Sequence, residues 1–186
     1  MDAPAGSLSA AAARASLQLA AATTARFSPP NSDFCSRLAD RLLAASPRWF
    51  AIVNEDFSAM LNGVAVATEH LTLTQTGILL AEFVPDSDLL PRLWGRQAMV
   101  LAAASCSLQE LAHHWRVLLL LQDGDRLVTF PAHQPDLLAG FLAAAGPDSR
   151  RAFLGPAQEL WIESEKGEAI LRVSAEDCFS FPLNPR

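Results

Sequence analysis

Three cysteines, Cys35, Cys106 and Cys178, are too few and too widely spaced for a disulfide framework. No CxxC and no Cys/His pair at zinc spacing accompanies them, so no structural metal is expected. That usage fits a reducing compartment. Charge is also sparse, at 18% of residues. The 14 basic residues are scattered, with no run longer than Arg150-Arg151, and the net charge is −6. A chain without a basic stripe lacks the phosphate contacts that nucleic-acid binding needs, and it suits anionic membrane surfaces poorly. No apolar run is long enough to span a membrane; the greasiest stretches, 97–106 and 117–121, are strand-sized or core-sized. The N-terminus has no basic segment ahead of an apolar block, so no secretory signal is expected. GxGxxG, P-loop, GxSxG and HExxH patterns are all missing.

Apolar residues make up 51% of the 186-residue chain, enough for one ordinary domain with a real core and a short appendage. Residues 1–31 read as the appendage: an Ala-rich arm with a thin apolar stripe, closed by Ser28-Pro29-Pro30-Asn31. Residues 32–186 read as a single domain. Phe34, Leu38, Leu42 and Ala45 recur at helical spacing and predict an amphipathic helix that stops before Pro47. The runs 48–54 and 77–84 predict strands, as does 97–104, while 64–76 carries no clear period. Asp86 and Asp88 are candidate caps for a short helix through Trp94. Ser107-Leu108-Gln109-Glu110 is a capping box, predicting a helix through about Trp115. Strands are expected at 116–122 and 126–130 around the Asp123-Gly124 turn, and helices at 135–145 and from Asp148 to Leu154. The segments 158–163 and 168–174 are expected to pair about a turn at 165–167, and the tail from Ala175 to be irregular. Interleaved helices and strands predict an α/β fold: a mixed sheet of about five to seven strands flanked by helices, with a C-terminal hairpin.

Candidate chemistry is thin. His113 and His114 are adjacent on a helix, so their side chains diverge by about 100° and cannot share a metal; one is expected to face the core and the other solvent. Cys106 and His133 could join a histidine in a nucleophilic or metal site only if the fold brought them together. Glu82, Asp86 and Asp88 stand near a strand end, where capping explains the aspartates more simply than acid–base work. Trp49, Trp94, Trp115 and Trp161 lie within apolar elements and read as core. No catalytic residue, metal ligand, cofactor or small-molecule substrate is assigned.

The stretch from Trp49 to Trp161, roughly three-fifths of the chain, resembles the DUF4123 family, the adaptor (chaperone) proteins of bacterial type VI secretion. Trp49–Asn54 (WFAIVN) is similar to the family's opening strand, which more often has Asp where Asn54 stands. Gly77–Phe83 is similar to its central P-Y-L-V-x-L strand, with Gly77-Ile78 in place of Pro-Tyr. The most specific part is SCSLQELAHHWRVLLLLQDG (105–124), where Ser107, Leu108, Glu110, Leu111, His114, Arg116, Asp123 and Gly124 match the family's S-L-E-E-L-x-x-H-L-R-x-L-L…D-G run. Phe153-Leu154-Gly155-Pro156 followed by Trp161 is similar to its F-F-G-P…W ending. Two departures stand out. Phe130–Pro135 (FPAHQP) replaces the family's usual R-F-Y-D-P, and the chain ends about 25 residues after Trp161, a short form without the further helical lobe that many members carry.

The resemblance implies a non-catalytic adaptor in the bacterial cytoplasm that binds a secreted effector and helps load it onto the spike. Its partners would be proteins, with neither nucleic acid nor membrane insertion involved. Arg92, Trp94, His114, Trp115 and Arg116 are the candidate positions for partner contact or for scaffolding; for Arg116 a salt bridge locking helix to sheet is the plain alternative. Two other readings remain open from the residues: a toxin-neutralising binding protein, and a small hydrolase or metal enzyme using His113, His133 and Cys106.

Overall fold

The computed structural model describes residues 32–45, 48–71, 77–85, 87–123, 126–164 and 169–182. The arm expected over 1–31, Asp86, Gly124 and the turn expected at 165–167 lie outside them. In chain order the elements are α1 (Ser32–Ala45), β1 (Trp49–Asn54), a 3-10 turn (Glu55–Phe57), α2 (Ser58–Leu61), β2 (Ala65–His70), β3 (Ile78–Phe83), α3 (Leu89–Leu93), β4 (Met99–Ala104), α4 (Leu108–Leu118), β5 (Leu120–Asp123), β6 (Arg126–Thr129), α5 (Pro135–Ala144), α6 (Pro147–Leu154), β7 (Ala157–Glu163), β8 (Ala169–Ser174) and β9 (Cys178–Pro182). None of the described helices is long and apolar enough to cross a membrane.

Seven strands form one sheet in the order β2-β3-β1-β4-β7-β8-β9, and β5 and β6 form a separate two-stranded hairpin. This is the α/β fold that the interleaved pattern predicts, and the expected C-terminal hairpin is β7–β8. Every pairing within the sheet is antiparallel, so the mixture is of helix and strand rather than of strand directions. β1 lies between β3 and β4, which therefore run parallel to each other across it, joined by α3.

The period of two along each strand divides the core into two halves. Even-numbered residues of the central strands, such as Phe50, Ile52, Leu80, Val100 and Ala102, face α4, α5 and α6. Odd-numbered ones, such as Trp49, Val53, Leu79, Leu101 and Trp161, face α1, α2 and α3. Both faces of β1 and β4 are covered, which explains why WFAIVN and MVLAAA read as continuous apolar runs. The four tryptophans belong to these cores. Trp49 donates its indole N–H to Leu42 O at 2.8 Å, joining α1 to the sheet, and its ring meets that of Trp161 edge-on at 5.2 Å.

One open stretch is assigned and three local expectations are corrected. Residues 65–70 form β2, an edge strand exposed along most of its length; without a buried face its sequence has no period. The helix expected to end near Trp115 continues to Leu118, and Arg116 is helical rather than the start of a strand. Asp88 precedes α3 without a side-chain capping bond; its carboxylate instead lies 3.8 Å from Arg92, one turn on. The tail is not irregular, because Cys178–Pro182 pairs with β8 as the other edge strand.

Candidate functional site

Helix α4 begins on the predicted capping box: the Ser107 hydroxyl accepts the Glu110 N–H at 3.2 Å, and the Glu110 carboxylate accepts the Ser107 N–H at 2.8 Å. The Ser107 N–H first, and then the Ser107 hydroxyl, hold the Glu110 carboxyl below its ordinary range. With its start fixed, the helix turns Leu108, Leu111, Ala112 and Trp115 into the core. His113 is exposed and His114 half-buried, the divergence expected of adjacent helical residues.

The last turn of α6 leaves carbonyls without helical partners. One of them, Phe153 O, accepts the indole N–H of Trp115 at 3.0 Å and the Nε2–H of His114 at 3.2 Å. Gly155 caps α6 at φ 56° and ψ −117°, a conformation that strongly favours glycine. A Cβ at Gly155 would come within 2.5 Å of His114 Cδ2. His114, Trp115, Phe153 and Gly155, drawn from segments about 40 residues apart, therefore form one clamp between α4 and the α6–β7 turn.

Arg116, next on α4, reaches the sheet edge. It donates to Glu69 at 2.5 Å and to His70 O at 2.6 Å, fastening β2. Arg92 of α3 donates to Met60 O at 3.2 Å and Asn62 O at 3.4 Å, tying α3 to α2. Trp94 is 1% exposed and packs against Phe34 of α1 at 5.7 Å. The five candidate positions thus occupy four separate braces and do not converge on one surface.

The possible reacting groups are also dispersed. Cys106 lies beyond the C-terminal end of β4, where burial first, and then Glu110, push its thiol pKa up. His133 is half-buried and faces Asp56, which follows the C-terminal end of β1. β1 and β4 are antiparallel, so these two ends are separated by the length of a six-residue strand, about 17 Å. Glu82 is bound by Arg48, at 3.0 and 2.8 Å. Among the described residues no group of three His, Cys, Asp or Glu stands where it could hold a metal ion.

What the same framework presents to solvent is apolar in part. Val117 on α4 is 67% exposed, and Leu120 and Val128, on the two strands of the hairpin that follows, are 36% and 40% exposed. Leu120 pairs across to Thr129 and Val128 to Leu121, so the hairpin shows an apolar side chain on each face. A groove of about 420 Å³ lies beside β2, lined by Glu55, Ser58, Asn62, Val66, Thr68 and His70 among others.

Two functional groupings escaped the sequence reading. Arg150 is buried and donates to Ala145 O, Ala175 O and Glu176 O; nothing local in Ser-Arg-Arg-Ala distinguishes it from exposed Arg151. Glu163 is 1% exposed at the end of β7, and the alternation that places it on the face of Trp161 was the available signal. No family model, curated protein or solved structure matches this chain.

Proposed function

We propose that this chain is a non-catalytic adaptor of the bacterial cytoplasm, one that binds a type VI secretion effector and assists its loading onto the spike. The observation that carries the protein-binding part is the use made of the residues around α4. His114, Trp115 and Arg116 brace the helix against α6 and β2, and the braced segment presents Val117, Leu120 and Val128 to solvent. A rigid element with exposed apolar side chains gains by burying them against a partner, and it loses little ordering entropy in doing so. The secretion pathway itself rests on the motif resemblance over 49–161, whose most specific part includes this helix.

The test is capture. Tagged protein in a strain with an active type VI apparatus should retain an effector, a spike protein or both, and Val117→Asp with Val128→Asp should lower retention by about tenfold or more while leaving the urea midpoint unchanged. Recovery of neither class of partner would refute the pathway. Undiminished retention by the double variant would refute the surface. Deletion should abolish export of the partner and spare the producing cell; a survival defect with export intact would point to toxin neutralisation instead.

A further inference from the structure

The turn between α3 and β4, residues 94–98, is held by one acidic side chain from β7. Glu163 Oε2 accepts the Gly95 N–H at 2.6 Å, and the backbone N–H groups of Gln97 and Ala98 also reach the carboxyl. Gln97 Nε2 donates to Ser164 O at 2.7 Å, so the turn grips β7 at two successive residues. The backbone of this turn needs such a grip. Gly95 has φ 79°, and Gln97, at φ 53°, is the only described non-glycine residue with positive φ. A side chain persists there only where its surroundings over-determine it.

The hydrogen bonding is incomplete in an informative way. Glu163 Oε1 and Gln97 Oε1 are both buried, and neither has a hydrogen-bond partner. Both are acceptors when Glu163 is ionised, whereas a protonated Glu163 turns one oxygen into a donor. The charged group whose field raises the pKa of Glu163 is Asp136, exposed at the start of α5 and of the same sign, and its effect is the smallest of those on the carboxyl. Arg96 of the turn is exposed, and Ile170, opposite on β8, brings no charge.

We propose that Glu163 is a proton-operated latch: protonated, it locks the α3–β4 turn onto β7, and ionised, it holds that turn only weakly. Trp94 caps α3 as the first residue of the turn and packs on α1, and α3 grips α2 through Arg92. The state of the latch therefore governs how firmly the α1–α3 layer sits on the sheet. Burial, opposed by the three backbone N–H groups and assisted by Asp136, pushes the Glu163 pKa up to about 7, well above the ordinary carboxylate range.

A group with a raised pKa in the closed turn contributes its full stability below the open-state pKa and loses it as pH rises to the closed-state value. Opening should become about tenfold easier per pH unit between the two values and level off above the upper one. The experiment is hydrogen exchange of the Gly95, Gln97 and Ala98 amides from about pH 4.5 to about pH 8.5, corrected for intrinsic rates, in the wild type and in Glu163→Gln. Wild-type protection should fall by about two to three powers of ten up to neutral pH and then hold steady. In Glu163→Gln, which keeps the shape and cannot ionise, it should stay flat, and the amides of Leu111 and Ala112 in α4 should follow the same course in both proteins. Carbon NMR of the Glu163 carboxyl in the wild type keeps the proposal testable if the variant fails to fold: titration near neutrality is expected. Titration in the ordinary carboxylate range, a pH-independent wild-type turn, or an unchanged pH dependence in Glu163→Gln would each overturn it.

Discussion

Alanine at Gly155 should be costly, and much of the cost should disappear once His114 is gone. The backbone there sits at φ 56° and ψ −117°, where a Cβ-bearing residue is strained by about 2 kcal/mol. The new Cβ would also come within 2.5 Å of His114 Cδ2 and closer still to other ring atoms. The ring must swing away, giving up its bond to Phe153 O, for about 1 kcal/mol, and repacking should add about 1 kcal/mol more. Gly155→Ala should therefore lose about 4 kcal/mol. His114→Ala alone should lose about 2 kcal/mol, from the bond and the half-buried ring. It does not orphan Phe153 O, which keeps the Trp115 indole N–H. In the double variant only the backbone strain adds to the loss of histidine, so the total should be about 4 kcal/mol, against about 6 kcal/mol if the effects were independent. Urea unfolding followed by tryptophan fluorescence, with midpoints compared at a common slope, measures all four corners of the cycle. Additivity to within about 0.5 kcal/mol would show that ring and glycine do not share space, and the clamp would be refuted.

Three further outcomes are expected. Arg150→Met keeps the aliphatic stem but removes the donors to Ala145 O, Ala175 O and Glu176 O; it should cost about 2 kcal/mol in urea, and a loss below about 0.5 kcal/mol would mean that water replaces the guanidinium freely. Ser107→Ala removes the side-chain half of the α4 capping box and should cost about 1 kcal/mol, with faster hydrogen exchange confined to the first turn of α4; an unchanged midpoint would count against the cap. Burial pushes the Cys35 thiol up to about 11, so at about pH 8 only about one molecule in a thousand carries the thiolate. Iodoacetamide should accordingly label Cys106 and Cys178 long before Cys35 in native protein; equal rates at all three would refute the burial of Cys35.

The parts of the fold legible in the sequence were those whose determinants are local. The capping box at Ser107 and Glu110 needs three residues of separation, and the apolar blocks at β1, β3 and β4 announce strands covered on both faces. What escaped was set by tertiary context. β2 and β9 are edge strands, exposed over much of their surface. They gain their pairing from a neighbour rather than from an apolar face of their own, so 65–70 showed no period and 178–182 read as tail. Helix α4 overran its predicted end because nothing in Trp-Arg-Val-Leu breaks a helix, while Arg116 gains two bonds to β2 by remaining helical. Glu163 looked like an ordinary polar residue at a strand end, since its burial depends on a turn some 68 residues earlier.

The same distinction bears on the motif resemblance. Ser107 and Glu110 cap α4, and Leu108 and Leu111 fill the core. His114 grips Phe153 next to Gly155, Arg116 fastens β2, and Trp49 meets Trp161 across the sheet face. Each of these motif positions in this chain has an intramolecular task, so what the motif specifies most directly is an architecture. Two chains could share every one of these residues and bind different companions. Partner choice would then fall to side chains the motif leaves out, and among the described residues Val117, Leu120 and Val128 are the exposed apolar ones carried on the braced segment. On the proposed function, exchanging these three for the residues of another chain that shares the motif, with the clamp intact, should redirect which protein is captured without moving the unfolding midpoint. Exchanging clamp residues should do the reverse, lowering stability and capture together with no change of partner.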